Sequence, residues 1–505
     1  MRTNYFSKIC LVLLALPVLH ACKKSFLDVD PVGLNLESNY YSNPSEAFAG
    51  LVAAYDPLGM ETAGTYANKL GPLNSASDDC VAGGASGGND MNTWQVWNNY
   101  TLTPAVGPQM EYWTRNFTGV SRTNIILSKL GDVPGLDENT KKRYIAEGKF
   151  LRAYYYFDLV RLFKNVPLFT APVATEEIYS QVQAAPADVY AQIEKDLHDA
   201  IPDLPPTVPV TTEGGRATQG AAKALLGKVI LFQNDNSRMA EAANLFEDVN
   251  KQDNIYGYKL MTNFGDIFRP DKKFNSESIF EIGHTSVANG NWNAWGAVEG
   301  NVYTQMIGPR AYSGTIYETG WGFNPVRKEL ADLLYGDPRY EYTVADIDSM
   351  VDAGAATSYE ASYQNTGYFV QKFAPLKQWK STGGGNVELN YPNNVIEIRL
   401  ADTYLMEAEA LLRAPGGDAV KAAKYLNDVR ARVGLAPVAA TLDNVALERR
   451  KELATEGHRW FDLVRTGKAA TVLAFKGFVA GKHEILPIPL NELTNTKLVQ
   501  NPNYN

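Results

Sequence analysis

Apolar residues along this chain recur mainly at spacings of three and four, so the sequence reads as predominantly helical. The clearest stretch runs from Lys141 to Phe163. There Tyr144, Gly148, Leu151, Tyr155, Leu159 and Leu162 fall on one stripe, and Asn165 and Pro167 close the helix. Two further segments, Leu225–Val249 and Leu405–Val429, align without a gap at an offset of 180 residues. Ala242-Ala243 falls on Ala422-Ala423, Phe246 on Leu426, and Asp248-Val249 on Asp428-Val429. Each reads as a helix, a polar turn and a second helix with small residues at the crossing, the pattern of a tetratricopeptide-like hairpin. The pentapeptide FDLVR occurs twice, at Phe157–Arg161 and Phe461–Arg465.

Two windows break this period. Gly64–Pro104 is rich in Gly, Asn, Ser and Thr and carries Trp94, Trp97 and Tyr100. His284–Phe323 is again Gly- and Asn-rich, with Trp292, Trp295, Tyr303, Tyr312, Tyr317 and Trp321. Five of the eight tryptophans lie in these windows. Loops this long in a compact protein are functional or disordered, and the aromatic content argues against disorder. The pattern therefore predicts a mostly α chain with long aromatic-rich loops and little β.

The front end has its own pattern. Ile9–Leu19 is an apolar run of eleven residues behind the basic Arg2 and Lys8. It is too short to cross a bilayer as a helix, which takes ~20 residues, and has the length of a signal-peptide core. It ends at Leu19-His20-Ala21-Cys22, followed by the polar Lys23-Lys24-Ser25. Residues 1–21 are therefore expected to be a lipoprotein signal peptide, with Cys22 lipidated and anchoring the chain to a membrane. Losing Arg2 and Lys8 takes the formal charge from −9 to −11, which leaves no basic footprint for nucleic acid. No later stretch is apolar enough to span a bilayer. Of the three cysteines, Cys10 leaves with the signal and Cys22 is acylated, so Cys80 stands alone and stability has to come from a core.

Candidate chemistry changes this picture little. Glu448, Glu452 and Glu456 sit four apart on one helical face, and paired carboxylates are what glycoside hydrolysis requires. Arg449, Arg450, Lys451 and Arg459 interleave with them, so structural ion pairs are the better account. Asp158–Arg161 and Asp462–Arg465 read the same way, as packing pairs of the repeat. His198, His284, His458 and His483 lack metal-ligand spacing, Ser313-Gly314 lacks a nucleophile-elbow context, and Gly383-Gly384-Gly385 reads as a loop. No catalytic constellation emerges, and no cofactor is expected.

Eight motifs in order identify a family resemblance. They are CKKSFLDVDP at Cys22–Pro31, EGKFLRAYYYFDLVRLFKNVPL at Glu147–Leu168, ATQGAAKALLGKVILF at Ala217–Phe232, and ESIFEIGH at Glu277–His284. DPRYEYTV at Asp337–Val344, IRLADTYLMEAEALLR at Ile398–Arg413, ERRKELATEGHRWFDLVRTGKA at Glu448–Ala469 and LPIPLNELTNTKLVQNPNY at Leu486–Tyr504 follow. The chain resembles the SusD/RagB family, lipoprotein partners of SusC-like TonB-dependent outer-membrane transporters. The resemblance implies an α-α superhelix of tetratricopeptide-like hairpins, with residues 22–235 and 236–505 as two portions of one compact unit. It also implies a lid on the transporter at the outer membrane, with a separate aromatic-rich face for ligand.

Sugar rings present C–H faces to Trp and Tyr, and planar polar groups bond their hydroxyls. By placement, the first window is expected to supply Trp94, Trp97 and Asn98, with Asp79, Asn89 and Asp90. The second is expected to supply Trp292, Trp295, Tyr317 and Trp321. A glycan is the leading cargo. A peptide, as in RagB-type members, and a surface glycoside hydrolase using carboxylates not pairable from sequence are the alternatives.

Overall fold

A computed structural model describes residues 41–60, 68–293 and 298–504, so the signal-peptide and Cys22 expectations, and Trp295, lie outside the described residues. The chain enters at α1 (Pro44–Tyr55), whose first turn is capped by the Asn43 side chain accepting the Glu46 amide. Two short helices, α2 (Leu70–Ala76) and α3 (Asn92–Asn98), follow inside the first aromatic window, where no helical period was legible. Next come α4 (Gln109–Lys129) and α5 (Glu138–Phe163). α5 starts earlier than its apolar stripe because the Asp137 carboxylate accepts the amides of Asn139 and Thr140 at 3.1 and 3.0 Å.

From Ala146 onward nearly every residue of α5 is buried, so a single stripe understates its role. It is a central helix, flanked by α4 and by α6 (Pro186–Ala200). Gly119 of α4 faces the Tyr155 ring, where a Cβ would come within 2.3 Å of ring carbon, so only glycine admits this contact. Arg152 of α5 spans to Asp196 of α6 with bonds of 2.8 and 2.7 Å, a buried fork-to-carboxylate pair.

The repeat is a pair of equivalent hairpins. α7 (Gln219–Gln233) and α8 (Met239–Asn250) form the first. The expected division between residues 235 and 236 falls in the turn between these two helices. Beyond them lies the short α9 (Val302–Ile307), and then α10 (Leu400–Arg413) and α11 (Ala419–Arg432) form the second hairpin, whose inner helix ends, Arg413 and Ala419, match Gln233 and Met239 at the 180-residue offset. Ala242 and Ala422 are fully buried in their hairpins. α12 (Leu442–Glu452) and α13 (Arg459–Arg465) complete the set that matters here.

Among the described residues the strands form only three two-stranded antiparallel sheets. β1 (Ser278–Ile282) pairs with β6 (Val395–Arg399), β2 (Arg310–Gly314) with β4 (Ala356–Glu360), and β3 (Val344–Asp346) with β5 (Tyr368–Val370). One hydrophobic core draws residues from Ala47 to Tyr504. No described helix is long and apolar enough to cross a membrane.

Both FDLVR copies meet in space. The Arg161 guanidinium lies 4.0 Å from the Phe157 ring centre and 4.1 Å from that of Phe461, with Phe232 at 5.0 Å. Asp158 pairs with Arg161, and Asp462 with Arg465, as packing partners. Glu448, Glu452 and Glu456 are also ion-paired, but their partners are not the neighbouring basic residues. Glu448 holds Arg339 and Arg430, Glu452 holds Arg339, Arg399 and Arg432, and Glu456 holds Arg399 and Lys372. The interleaved Arg449 turns instead to Asp402 and Asp462, and Arg450 and Arg459 to Asp78 and Asp79.

Candidate functional site

Trp292 and Trp321 form an aromatic pair that reaches the surface of the described chain. Their ring centres are 6.2 Å apart and their planes are tilted by 27°, a near-parallel stacked pair. Trp292 is 40 % exposed and Trp321 half-buried. A tryptophan pair that reaches the surface offers a platform on which a ring with C–H faces can stack.

The backbone around Trp321 fixes where that side chain stands, partly exposed and partly packed against the core. The last carbonyls of α9 and its cap are met by the 321–323 segment: Trp321 N–H donates to Gln305 O at 3.1 Å, Gly322 to Gly308 O at 2.8 Å and Phe323 to Met306 O at 2.8 Å. The flanking glycines make this approach possible. A Cβ on Gly320 would lie 2.3 Å from Gly308 Cα, and one on Gly322, at φ +75°, would lie 2.5 Å from Ser362 Oγ. Arg310 of β2 donates to Trp321 O at 3.1 Å, and its guanidinium stands 3.8 Å from the Glu360 carboxylate of β4.

The loop carrying Asn89 and Asp90 reaches the same place. Gly84 N–H donates to Gly322 O at 2.8 Å, Tyr363 N–H donates to Gly84 O at 3.0 Å, and Gly88 lies against the Tyr363 ring. Asp90 is partly buried and accepts the Ala85 amide at 3.2 Å, which closes its own loop, while Asn89 is exposed. The result is a two-ring apolar face flanked by a compensated Arg310–Glu360 pair and an amide- and carboxylate-bearing loop. Such a surface can stack a ring with C–H faces and bond its hydroxyls. Arg310, Glu360 and Tyr363 went unread in the sequence: Glu360 and Tyr363 lie outside both aromatic windows, and no local pattern marks Arg310, inside the second, as a neighbour of Trp321.

Five of the expected site residues are elsewhere, and burial is the reason. Trp94 is 1 % and Trp97 0 % exposed. α3 turns both into the core, where Trp94 lies over Gly71 of α2 and Trp97 meets Trp460 edge-on at 5.2 Å. Their spacing of three puts both on one face of this seven-residue helix, too short a stretch to show a period in the sequence. Asn98 is buried and accepts from Lys476 at 3.0 Å. Asp79 is buried and accepts from Arg450 at 3.0 Å, and burial raises its pKa above the usual carboxylate value. Tyr317 is 5 % exposed in a small satellite core, edge-on to Tyr312 and donating to Gln371 Oε1 at 2.6 Å. None of these side chains offers a face to ligand.

A cleft of about 630 Å³ is lined by Glu409, Arg413, Arg449, Asp462, Arg465 and Lys468, among others. It has no aromatic lining, and its arginines are neutralised by carboxylates, so it lacks a stacking face. Glu194, His198 and Glu241 come close enough together to share a cation. The Arg238 guanidinium already bonds both carboxylates, at 2.8 Å to Glu194 and 3.0 Å to Glu241.

Comparison with known proteins agrees with the fold. The family model described as "SusD family" matches residues 305–484, and the one described as "Starch-binding associating with outer membrane" matches residues 42–231. A SusD-like protein of Bacteroides ovatus is 26 % identical, over 92 % of this chain and 83 % of its own. A solved "Laminarin binding SusD-like protein" is 48 % identical, with a TM-score of 0.87 over 92 % of this chain and 100 % of its own. Surface glycan-binding protein A from Bacteroides thetaiotaomicron in complex with laminarihexaose is 30 % identical, with a TM-score of 0.83 over 91 % of this chain and 99 % of its own. With 48 % identity sustained across nearly the whole described chain, and the paired hairpins in place, this protein belongs to the SusD/RagB family.

Proposed function

We propose that this chain is a non-catalytic surface glycan-binding subunit that takes a laminarin-type glycan on the Trp292–Trp321 face. The observation that carries the reading is the tilted, surface-lying tryptophan pair, flanked by Arg310, Glu360, Asn89 and Asp90. The laminarin and laminarihexaose named for two similar solved structures support the choice of cargo. Glu448, Glu452 and Glu456, the carboxylates that invite a hydrolase reading, are buried in ion pairs, which supports binding without chemistry. In this reading the protein is tethered at the outer membrane through Cys22 and closes as a lid over a SusC-like TonB-dependent transporter, where the tether raises effective concentration.

Calorimetry against laminarin, laminarihexaose, unrelated polysaccharides and peptides tests the cargo. Trp292→Ala should weaken laminarin binding by ~1–2 kcal/mol, roughly five- to thirty-fold, at an unchanged melting temperature, and Trp321→Ala should weaken it similarly with some loss of melting temperature, because Trp321 also packs against the core. Wild-type affinity in both variants would refute the site, and preference for a peptide would refute the cargo. New reducing ends after incubation with laminarin would refute the non-catalytic role. Pull-down after gentle detergent extraction should recover a large barrel protein, and recovery of the lipoprotein alone would count against the lid. Outer-membrane retention of Cys22→Ser would do the same for the anchor.

A further inference from the structure

The stem of the loop that bears Trp292 is gripped by one short segment, residues 386–391. Asn390 is fully buried, and its carboxamide clasps both polar groups of Gly290. Nδ2 donates to Gly290 O at 2.8 Å, and Oδ1 accepts the Gly290 amide at 2.9 Å. A carboxamide is the neutral side chain that presents a donor and an acceptor side by side, so it can pair with a peptide group as a neighbouring strand would. Nδ2 also bonds Asn386 O at 2.7 Å, tying the clasp to its own turn. Asn386 completes the hold: its amide donates to Gly290 O at 3.0 Å, and its Oδ1 accepts the Trp292 amide at 3.3 Å.

The far stem ends on the same segment. Asn301 N–H donates to Tyr391 O at 2.8 Å, and Gly300 lies so close that a Cβ there would sit 2.2 Å from Leu389 O. Asn301 then caps α9 by accepting the Thr304 amide at 3.2 Å. The carbonyls at the other end of α9 are the ones that hold Trp321 in place. One buried base therefore sets the position of both rings.

We infer that Asn390 and Asn386 are positioning residues of the glycan face: neither stacks on the sugar, and together they hold Trp292 in register with Trp321 before ligand arrives. This rests on the proposed platform role of Trp292. The physical ground is preorganisation, since ordering a loop and its rotamers at the moment of binding is subtracted from affinity. The same clasp makes the effect specific, because losing it matters only while Trp292 is there to be positioned.

A double-mutant cycle on laminarin affinity, with melting temperature measured for every protein, tests the inference. Asn390→Ala should weaken binding roughly three-fold or more and should cost almost nothing further in a Trp292→Ala background, as coupled neighbours do. Asn386→Ala, at a half-buried position, should behave the same way and carries the cycle if Asn390→Ala does not fold. A merely structural role would lower the melting temperature without coupling to Trp292. Equal losses in both backgrounds, or wild-type affinity in both asparagine variants while Trp292→Ala is weakened, would overturn the inference alone. Wild-type affinity in Trp292→Ala would overturn the platform reading, and this inference with it.

Discussion

Replacing Glu452 by glutamine isolates the electrostatic part of this fold's stability. The substitution is nearly isosteric, so it opens no cavity. The carboxylate is fully buried and accepts from Arg339 at 2.9 Å, from Arg399 at 2.6 Å, and from Arg432. It is the hub of a cluster in which Arg339, Lys372, Arg399, Arg430 and Arg432 face Glu277, Asp337, Glu448, Glu452 and Glu456. With Lys451, 3.5 Å from Asp337, the cluster holds six cations to five carboxylates, and glutamine leaves a further buried cation without compensation. Breaking a buried pair from one side costs ~3–5 kcal/mol, because the remaining charge stays desolvated.

Burial pushes the Glu452 carboxyl upward, but Arg432, Arg399 and Arg339 outweigh it and hold its pKa well below the usual range. The folded value is therefore the lower one. Its stabilisation is present above the ordinary carboxylate pKa and is lost as pH falls through the folded value. Urea unfolding followed by tryptophan fluorescence should show a lower midpoint for Glu452→Gln at pH 7 with an unchanged slope, and the gap should narrow on acidification. A variant that unfolds with the wild-type midpoint at pH 7 would refute the reasoning. Loss of a measurable hydrolase activity at full stability would replace it with a catalytic role.

Three further outcomes follow from the packing. Trp97→Ala and Trp460→Ala should each destabilise by ~3–5 kcal/mol in urea, and the double variant should cost less than their sum because the rings touch. A Trp97→Ala protein of wild-type stability with weakened glycan binding would restore Trp97 to the ligand face. Gly322→Ala places a Cβ 2.5 Å from Ser362 Oγ at a positive φ, so it should lower the melting temperature and displace Trp321, with a measurable loss of laminarin affinity. Unchanged melting and affinity would show that the turn yields. Burial pushes the pKa of Glu407, held by Asn250 and Lys421, up to about 7. Its stabilisation is full below the ordinary glutamate pKa and is lost as pH rises through about 7, by ~3 kcal/mol at most. Glu407→Gln should flatten that part of the melting-temperature profile, and parallel profiles for the two proteins would exclude the effect.

Local order in this chain is written in its own neighbourhood, and the sequence alone was enough to read it. The hairpin boundaries follow from residues three and four apart, so the α7–α8 and α10–α11 repeat was visible as a gapless offset. Eight motifs in order pointed to the family for the same reason, since each is a short contiguous string. What the sequence could not decide was which way a side chain faces once distant segments close on it. Trp94 and Trp97 share the composition of Trp292 and Trp321, yet the first pair is buried because α2 and Trp460 pack against α3. The second pair meets only because α9 and the 386–391 segment bring the two loops together. The same holds for the glutamate row of α12. Its neighbours in sequence, Arg449 and Arg450, point elsewhere, and its true partners, Arg339 and Arg399, arrive from far along the chain. Periodicity is a short-range property of the backbone, whereas burial and charge pairing are settled by contacts between residues that no local window contains.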